Sequence, residues 1–480
     1  MDIDKDLIKR IVEEVVKQQL SGSPEGQGRV REAVKVEAGR DGIFASADDA
    51  VAAAGDAFRK WQSTSVEVKK ACIAEMRQVS REQAKTMADL AVAETGLGRA
   101  EDKLKKNLLQ AEKTPGIEDI SPSVFTGDRG LSLVEHSPFG VLVSVTPTTN
   151  PVATIINNSI SMLAAGNSVV FCPHPRAKGC CGKMIQLLNR AVIKAGGPPN
   201  LMTSVAEPTL DVTQKLMHHP GVRCLVVTGG PGVVGAAMKS GKKAIAAGPG
   251  NPPVVVDETA DPRSAARHIL AGASFDNNVM CTCEKEVLAV DSIFRPLKEH
   301  MGANGCYELN SRQLDELTRV IFPPPPVGQS KLSLNTDLVG QHASDIAKTI
   351  GLDLPRETRL LIAETDFEHP LVLKEQMMPV LPLVRCRDAD EAIARAEKAE
   401  GERYHTAVIH SKNIDRLSHM AKIMNANIFV KNGPNFAGLG FGGEGFTTMT
   451  IAGSTGEGIT SARTFTRERR CAIIDHFRIL

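Results

Sequence analysis

Apolar residues at Ile3, Leu7, Ile8, Ile11, Val12, Val15, Val16 and Leu20 repeat with the i, i+3, i+4 spacing of an amphipathic helix. Acidic and basic residues from Asp2 to Glu14 fill its other face, which excludes both the apolar core of a signal peptide and a cationic transit peptide. The run Ser21 to Gly28 (SGSPEGQG) reads as flexible linker. The pattern predicts a helix over residues 1–20 and a linker leading to an ordered body that begins near Gly42. A detached apolar stripe needs a surface to cover it, either the chain's own domain or oligomer, or another protein.

The body opens with a helix from Ser46, capped by Ser46 with Asp49 and carrying Ala47, Val51, Ala54, Phe58 and Trp61 on one face. From Val141 short β-branched runs alternate with helical ones. Strands are expected at Val141–Val145, Val169–Phe171, Leu201–Val205 and Cys224–Val227, with helices from Pro151 to about Leu163, through Met184–Val192 and near Leu210–Met217. Such alternation predicts a parallel α/β sheet. It continues through Ala265–Ala273 and Glu286–Val290, is interrupted at Pro323 to Pro326, and resumes with strands at Leu360–Ala363 and Val380–Val384, a second α/β region.

Length and charge narrow the field. At 480 residues the chain should hold at least two domains. With 57 Lys+Arg against 56 Asp+Glu and 4% aromatic residues, it has neither the basic excess nor the stacking surface of a nucleic-acid binder. The longest apolar stretch, Val152 to Phe171, is interrupted by Asn157, Asn158, Ser159, Ser161, Gly166, Asn167 and Ser168, too polar for a membrane span. Ten cysteines without a secretory signal read as reduced thiols.

Two segments carry candidate chemistry. Gly230-Pro231-Gly232-Val233-Val234-Gly235 matches G-x-G-x-x-G between a strand and a helix-compatible stretch, so its backbone N–H groups and helix N-terminus suit a phosphate. A ligand-free turn has the same spacing. The ordinary dinucleotide reading would nominate Asp257 or Glu258 for the ribose. Cys281 and Cys283 lie two apart beside a strand, where an extended chain would put both thiols on one face. Spacing does not choose between a nucleophile and packing, and no C-x-x-C or H-x-x-x-H cluster completes a metal site.

Seven segments occur in order: Thr146 to Pro151 (TPTTNP), Ser159 to Asn167 (SISMLAAGN), Thr228 to Gly232 (TGGPG), Ala247 to Pro253 (AGPGNPP), the Cys281 segment, Glu375 to Pro382 (EQMMPVLP) and Gly440 to Thr448 (GFGGEGFTT). Together they resemble the CoA-acylating branch of the aldehyde dehydrogenase superfamily, closest to the propanal-oxidising members of propanediol-utilising bacterial microcompartments. The likeness runs from about Gly42 to the C-terminus, and residues 1–20 resemble the helix by which such enzymes dock into their shell.

The resemblance implies an α/β, aldehyde dehydrogenase-like fold. A Rossmann-type cofactor-binding domain would span 42–122 and 136–253, an α/β catalytic domain 254–450, and an oligomerisation element 123–135 and 451–480, after a linker over 21–41. It implies oxidation of propanal with NAD and CoA to propanoyl-CoA through a thioester on Cys281, with Cys283 as packing. Acetaldehyde in ethanolamine use, and a non-enzymatic shell-associated scaffold, are the alternatives. The oxyanion would be held by the Cys281 backbone N–H and by a donor at Thr149 or Asn150, although Asn150 also stands where a helix N-cap is expected. Cofactor contacts would come from Thr146, Pro147, His174, Thr228, Gly229, Gly230, Gly232 and Gly248, with Glu375 on the nicotinamide ribose, and Asp257 would not be needed. Hydrolytic members carry a general-base glutamate where this chain reads AIAAGPGNPP (Ala244 to Pro253), without a carboxylate, which favours a thiol acceptor over water. The implied setting is a homo-oligomer in the bacterial cytoplasm, enclosed in a microcompartment through residues 1–20, with no nucleic-acid or membrane partner and no metal.

Overall fold

The computed structural model describes residues 36–325 and 332–478, so the helix and much of the linker expected at the N-terminus lie outside the described residues. Two parallel sheets follow one another along the chain. The first has six strands in the order Ile43–Phe44, Met202–Val205, Ser168–Pro173, Val141–Thr146, Cys224–Thr228 and Lys243–Ala247. The second has seven, in the order Tyr307–Glu308, Leu361–Thr365, Val380–Cys386, Glu286–Val290, Pro253–Val256, Thr406–His410 and Ile428–Lys431. Near-continuous Val, Ile and Leu in the central strands reflect burial on both faces.

Helix Pro151–Ala164 explains the apolar stretch broken by amides, for every one of its residues is buried. A helix packed all round must satisfy its polar groups inside the protein. Asn157 accepts from the Met449 backbone N–H at 3.0 Å and Asn158 donates to Ser144 Oγ at 3.0 Å. The helix Ala47–Ser63 forms as expected, with Ser46 accepting from Asp49 N–H at 3.2 Å and Trp61 fully buried.

The third sheet is antiparallel and stands outside both cores: Thr466–Ile474 pairs with Gly130–Pro138, which pairs with Ser123–Gly127. Ser123–Gly127 is exposed along its whole length. Only residues from Thr466 onward join it from the C-terminal segment. Ile451–Ala452 pairs with Gly458–Ile459, and Ile451, Ala452, Ala462 and Phe465 are buried in the body, because these positions are apolar whereas Arg467, Glu468, Arg469 and Arg470 are exposed on the outlying strand.

The two parallel sheets are joined end to end. Lys243–Ala247 leaves the first at its C-terminal edge, and after residues 248–252 the strand Pro253–Val256 enters the second at its N-terminal edge. No helix among the described residues is long and apolar enough to cross a membrane.

Candidate active site

Cys281 follows a short 3-10 turn, Phe275–Asn278, and precedes the strand Glu286–Val290. Asp276, Asn277 and Asn278 all have left-handed backbones, with φ of 48°, 52° and 64°. Asp and Asn are the residues other than glycine that tolerate this region, and each side chain helps to hold the strained turn. Asn277 donates to Gly340 O at 2.9 Å, and Asn278 to Ala273 O at 2.7 Å and Glu284 O at 3.0 Å. Lys285, fully buried, donates to the carbonyls of Asn278 and Met280 at 3.1 Å and to Asn278 Oδ1.

The chain turns at Cys281–Cys283 rather than running extended, with Cys283 N–H bonded to Met280 O at 3.1 Å. The two thiols therefore do not share a face. Cys281 is half-buried, whereas Cys283 is fully buried in the core and directs its Sγ to Phe275 O at 3.7 Å. Burial, and then the neighbouring Glu375 carboxylate, push the Cys281 thiol up to about 12, against the opposing pull of Lys285 and Lys106.

Beneath this turn lies a buried ionic cluster on helix Ala100–Lys113 that the sequence reading did not single out. Lys103 and Lys106, one turn apart, both donate to Asp276 Oδ2. Their side chains and that of Asp276 are almost entirely shielded from solvent. Lys103 also donates to Thr149 O at 3.0 Å, and Lys106 to Asn150 Oδ1 at 2.5 Å. Asn150 in turn donates to Thr149 Oγ1 at 3.2 Å. Asn150 does occupy the N-cap position of Pro151–Ala164, but its side chain makes no cap bond.

The loop after Lys243–Ala247 packs directly against the Cys281 backbone. Glu375 Oε1 accepts from Gly250 N–H at 3.4 Å, and burial raises the Glu375 carboxyl above its ordinary value. His405, also missed in the sequence, has its ring against Gly250. A Cβ on that glycine would lie 3.0 Å from His405 Cγ and 2.6 Å from Cys281 O. Burial, with Lys285 and Arg403 nearby, lowers His405 to about 4. The ring is neutral at physiological pH. Its Nδ1 meets Thr406 Oγ1 at 2.9 Å, and its buried Nε2 has no partner among the described residues.

Met280, immediately before Cys281, lines a small apolar pocket with Leu109, Phe275, Phe436, Phe441 and Met449, and Lys106 is part of the same wall. The three rings lie 5.2 to 6.0 Å apart in tilted pairs. The room the pocket offers to a water-sized sphere is about 10 Å³. Asn435 ties this wall to the Cys281 segment. It accepts from Thr282 Oγ1 at 3.0 Å, and its backbone N–H and Nδ2 donate to Glu284 at 2.8 and 2.5 Å.

The expected cofactor residues fall together along the C-terminal edge of the first sheet, at four adjacent strand ends. Thr146 and Pro147 follow one strand and His174 the next, while Thr228–Gly232 and Gly248 follow the other two. Gly230 caps the helix Pro231–Met238 without a side-chain bond, leaving the first turn's N–H groups for a ligand. Thr146 Oγ1 is buried without a partner among the described residues, Thr228 Oγ1 lies 3.4 Å from Thr450 Oγ1, and the Gly229 N–H bonds Ala247 O. His174 accepts from Arg176 N–H at 3.2 Å and burial lowers it to about 4. Asp257 is not among them: it lies in the second sheet, buried and bonded to Thr259, Ser411 and Arg416.

Residues 35–306 match the model of the aldehyde dehydrogenase family. The chain is 52% identical over 440 residues to the acetaldehyde dehydrogenase (acetylating) EutE of Escherichia coli (strain K12), covering 92% of this chain and 94% of that protein. It is 47% identical over 439 residues to the propanal dehydrogenase (CoA-propanoylating) of Salmonella typhimurium, covering 91% and 93%. Its fold matches the propionaldehyde dehydrogenase from the Clostridium phytofermentans fucose utilisation bacterial microcompartment, with a TM-score of 0.89, 46% identity, and coverage of 92% of this chain and 100% of that one. The Rhodopseudomonas palustris propionaldehyde dehydrogenase, solved with bound CoA and an acylated cysteine, gives a TM-score of 0.88 at 46% identity, covering 91% and 98%. With the family model matched over more than half of the chain and these relatives covered almost end to end, the chain belongs to the acylating aldehyde dehydrogenases of the aldehyde dehydrogenase family.

Proposed function

We propose that this chain oxidises a two- or three-carbon aldehyde with NAD and passes the acyl group to CoA through a thioester on Cys281. The observation that carries this reading is the contact between Gly250 and Cys281. The loop that holds the general-base glutamate of hydrolytic relatives here packs its backbone against the nucleophile, leaving no room for a side chain at Gly250. Water then lacks a base at that place, and a thiol is the better acceptor.

In the first step the Cys281 sulfur attacks the carbonyl carbon, the C–S bond forms, and the carbonyl electron pair moves to oxygen. The thiol proton goes to the Glu375 carboxylate, whose charge acts on the thiol, or to His405, whose ring packs on Gly250. The Cys281 backbone N–H and the Asn150 amide stabilise the hemithioacetal oxygen. When bound, NAD supplies a positively charged ring that accepts the hydride. Thr146, Pro147, His174, Thr228 to Gly230, Gly232 and Gly248 would hold the dinucleotide, and the unpartnered Thr146 hydroxyl and the open helix N-terminus at Gly230 fit its ribose and phosphates. Glu375 would hold the nicotinamide ribose. CoA sulfur then attacks the thioester carbon, and Cys281 leaves as thiolate.

The apolar pocket beside Met280 takes the alkyl group. Propanal is the reading drawn from sequence. Acetaldehyde is favoured by the higher identity to EutE than to the propanal enzyme, and the pocket's small room for a water-sized sphere, about 10 Å³, suits a short alkyl group. We place the enzyme as a homo-oligomer in the bacterial cytoplasm inside a microcompartment, with residues 1–20 docking to the shell. Mass spectrometry after incubation with propionyl-CoA or acetyl-CoA tests the reading: an acyl adduct on Cys281 supports it. No adduct and no NADH production from either aldehyde would favour a scaffold that has kept the fold.

A further inference from the structure

Two lysines sharing one carboxylate form an unusual interior cluster. Lys103 and Lys106 bring two amines to the one carboxylate of Asp276, in a setting where lysine is almost never fully buried unless paired, and burial, with Lys106 beside it, lowers Lys103 to about 8. The second carboxylate nearby, Asp102, accepts from the Asp276 N–H at 3.0 Å and is engaged by Lys105 and by Arg359. Asp276 Oδ1 accepts from Arg99 N–H at 2.6 Å, and Gly98 leaves no room for a Cβ beside it. The cluster is therefore rigid. Positive charge in a dry site is costly unless negative charge stands or develops close by, and Lys103 meets part of that cost through its lowered pKa.

The ammonium of Lys106 settles the orientation of the Asn150 amide. A lysine only donates, so the atom that meets it is the amide oxygen, and Nδ2 must face the other way. One Nδ2 hydrogen goes to Thr149 Oγ1. The other has no partner among the described residues. Lys106 also lines the pocket that contains Met280, and its charge draws the Cys281 thiol downward.

We propose that Lys106 is a positioning residue for aldehyde oxidation: seated on Asp276, it locks Asn150 by its Oδ1 and polarises the amide, so that the remaining N–H becomes the second donor to the hemithioacetal oxygen. The inference rests on the reading of Cys281 as the acylated nucleophile. The polarised amide is a stronger donor than a free one because charge on one side of a hydrogen-bond chain strengthens the next link. Asp276 keeps one ammonium, that of Lys103, when Lys106 is replaced, so the variant retains a paired carboxylate.

A double-mutant cycle between Lys106→Met and Asn150→Ala tests it, reading kcat and KM for NADH formation from propanal and acetaldehyde, with melting temperature as the fold control. Each single variant is expected to lose about 10²-fold in kcat, the scale of one oxyanion donor, with KM nearly unchanged. The double variant should be no worse than the poorer single, and Lys106→Arg should recover much of the loss. Multiplicative losses, or a rise in KM at unchanged kcat, would overturn the proposal. If Lys106→Met does not fold, Lys106→Gln enters the same cycle and is judged by the same outcomes. A wild-type chain that forms no acyl adduct on Cys281 defeats the underlying reading instead, whatever the cycle gives.

Discussion

Gly250 and Cys281 touch through their backbones: a Cβ on the glycine would stand 2.6 Å from the cysteine carbonyl oxygen. Gly250→Ala must therefore displace the nucleophile or the loop by a large part of an ångström. Misplacement of about 1 Å at a reacting group costs on the order of 10²-fold in rate. The expected result is a loss of that size in kcat for acyl transfer, read by NADH formation in the presence of CoA, with the protein still folded by circular dichroism.

The two cysteines of the nucleophile turn should separate cleanly. Cys281→Ala should abolish both aldehyde oxidation and acyl transfer from acyl-CoA while barely changing stability, since the side chain is only half-buried. Cys283→Ala should keep most activity and lower stability by about 1–2 kcal/mol, the scale of removing one buried group from a packed core. Equal loss of activity in both would assign the nucleophile wrongly.

Alkylation of Cys281 should follow pH in a defined direction. Burial, and then repulsion of the thiolate by Glu375, push the thiol up to about 12, so iodoacetamide labelling should be slow near neutrality and climb throughout the alkaline range. Glu375→Gln removes a negative neighbour, lowers the thiol's pKa and raises the thiolate fraction at any given pH. Labelling at pH 8 should become faster than in the wild type, while NADH formation falls because the ribose contact is lost. Slower labelling would show that the carboxylate acts mainly as the thiol's base.

Chain-length preference should move when the aromatic wall is opened. Phe441 is only partly buried and stacks against Phe275 and Phe436, so Phe441→Ala enlarges the acyl pocket at modest cost to the fold. The ratio of kcat/KM for hexanal over acetaldehyde should rise by about 10- to 200-fold, the range available from filling or emptying methylene-sized space. An unchanged ratio would place the alkyl group elsewhere.

Deleting residues 1–20 should leave turnover in dilute solution unchanged and abolish co-purification with a microcompartment shell. Collapse of activity in the soluble truncation would instead mean that this segment packs on the body.

Elements built of β-branched runs were legible in the chain: Val141–Thr146, Cys224–Thr228 and Val380–Cys386 stand within two residues of where alternation puts them. The strand Lys243–Ala247 was not, because Lys-Ala-Ile-Ala-Ala lacks the residues that mark a strand, and only pairing with Cys224–Thr228 makes it one. The chemistry divides in the same way. Cys281 and the glycine turn sit in motifs with local signatures, whereas Lys103 and Lys106 lie in Ala100–Lys113, whose charges look like a solvated helix face in sequence. Their function depends on Asp276, more than 160 residues away, and no local pattern carries a contact at that separation.

The connector of residues 248–252 works as a length standard between two otherwise separate scaffolds. The first sheet offers its C-terminal edge and the second its N-terminal edge, and these residues alone span the direct covalent path between them. One inserted residue adds up to about 3.5 Å of chain, as long as the whole separation between reacting atoms poised for attack. Variation that the surface loops of either sheet absorb freely is therefore barred here, and redesign of aldehyde preference has room in the aromatic pocket but none in the link that brings hydride acceptor and thiol into register.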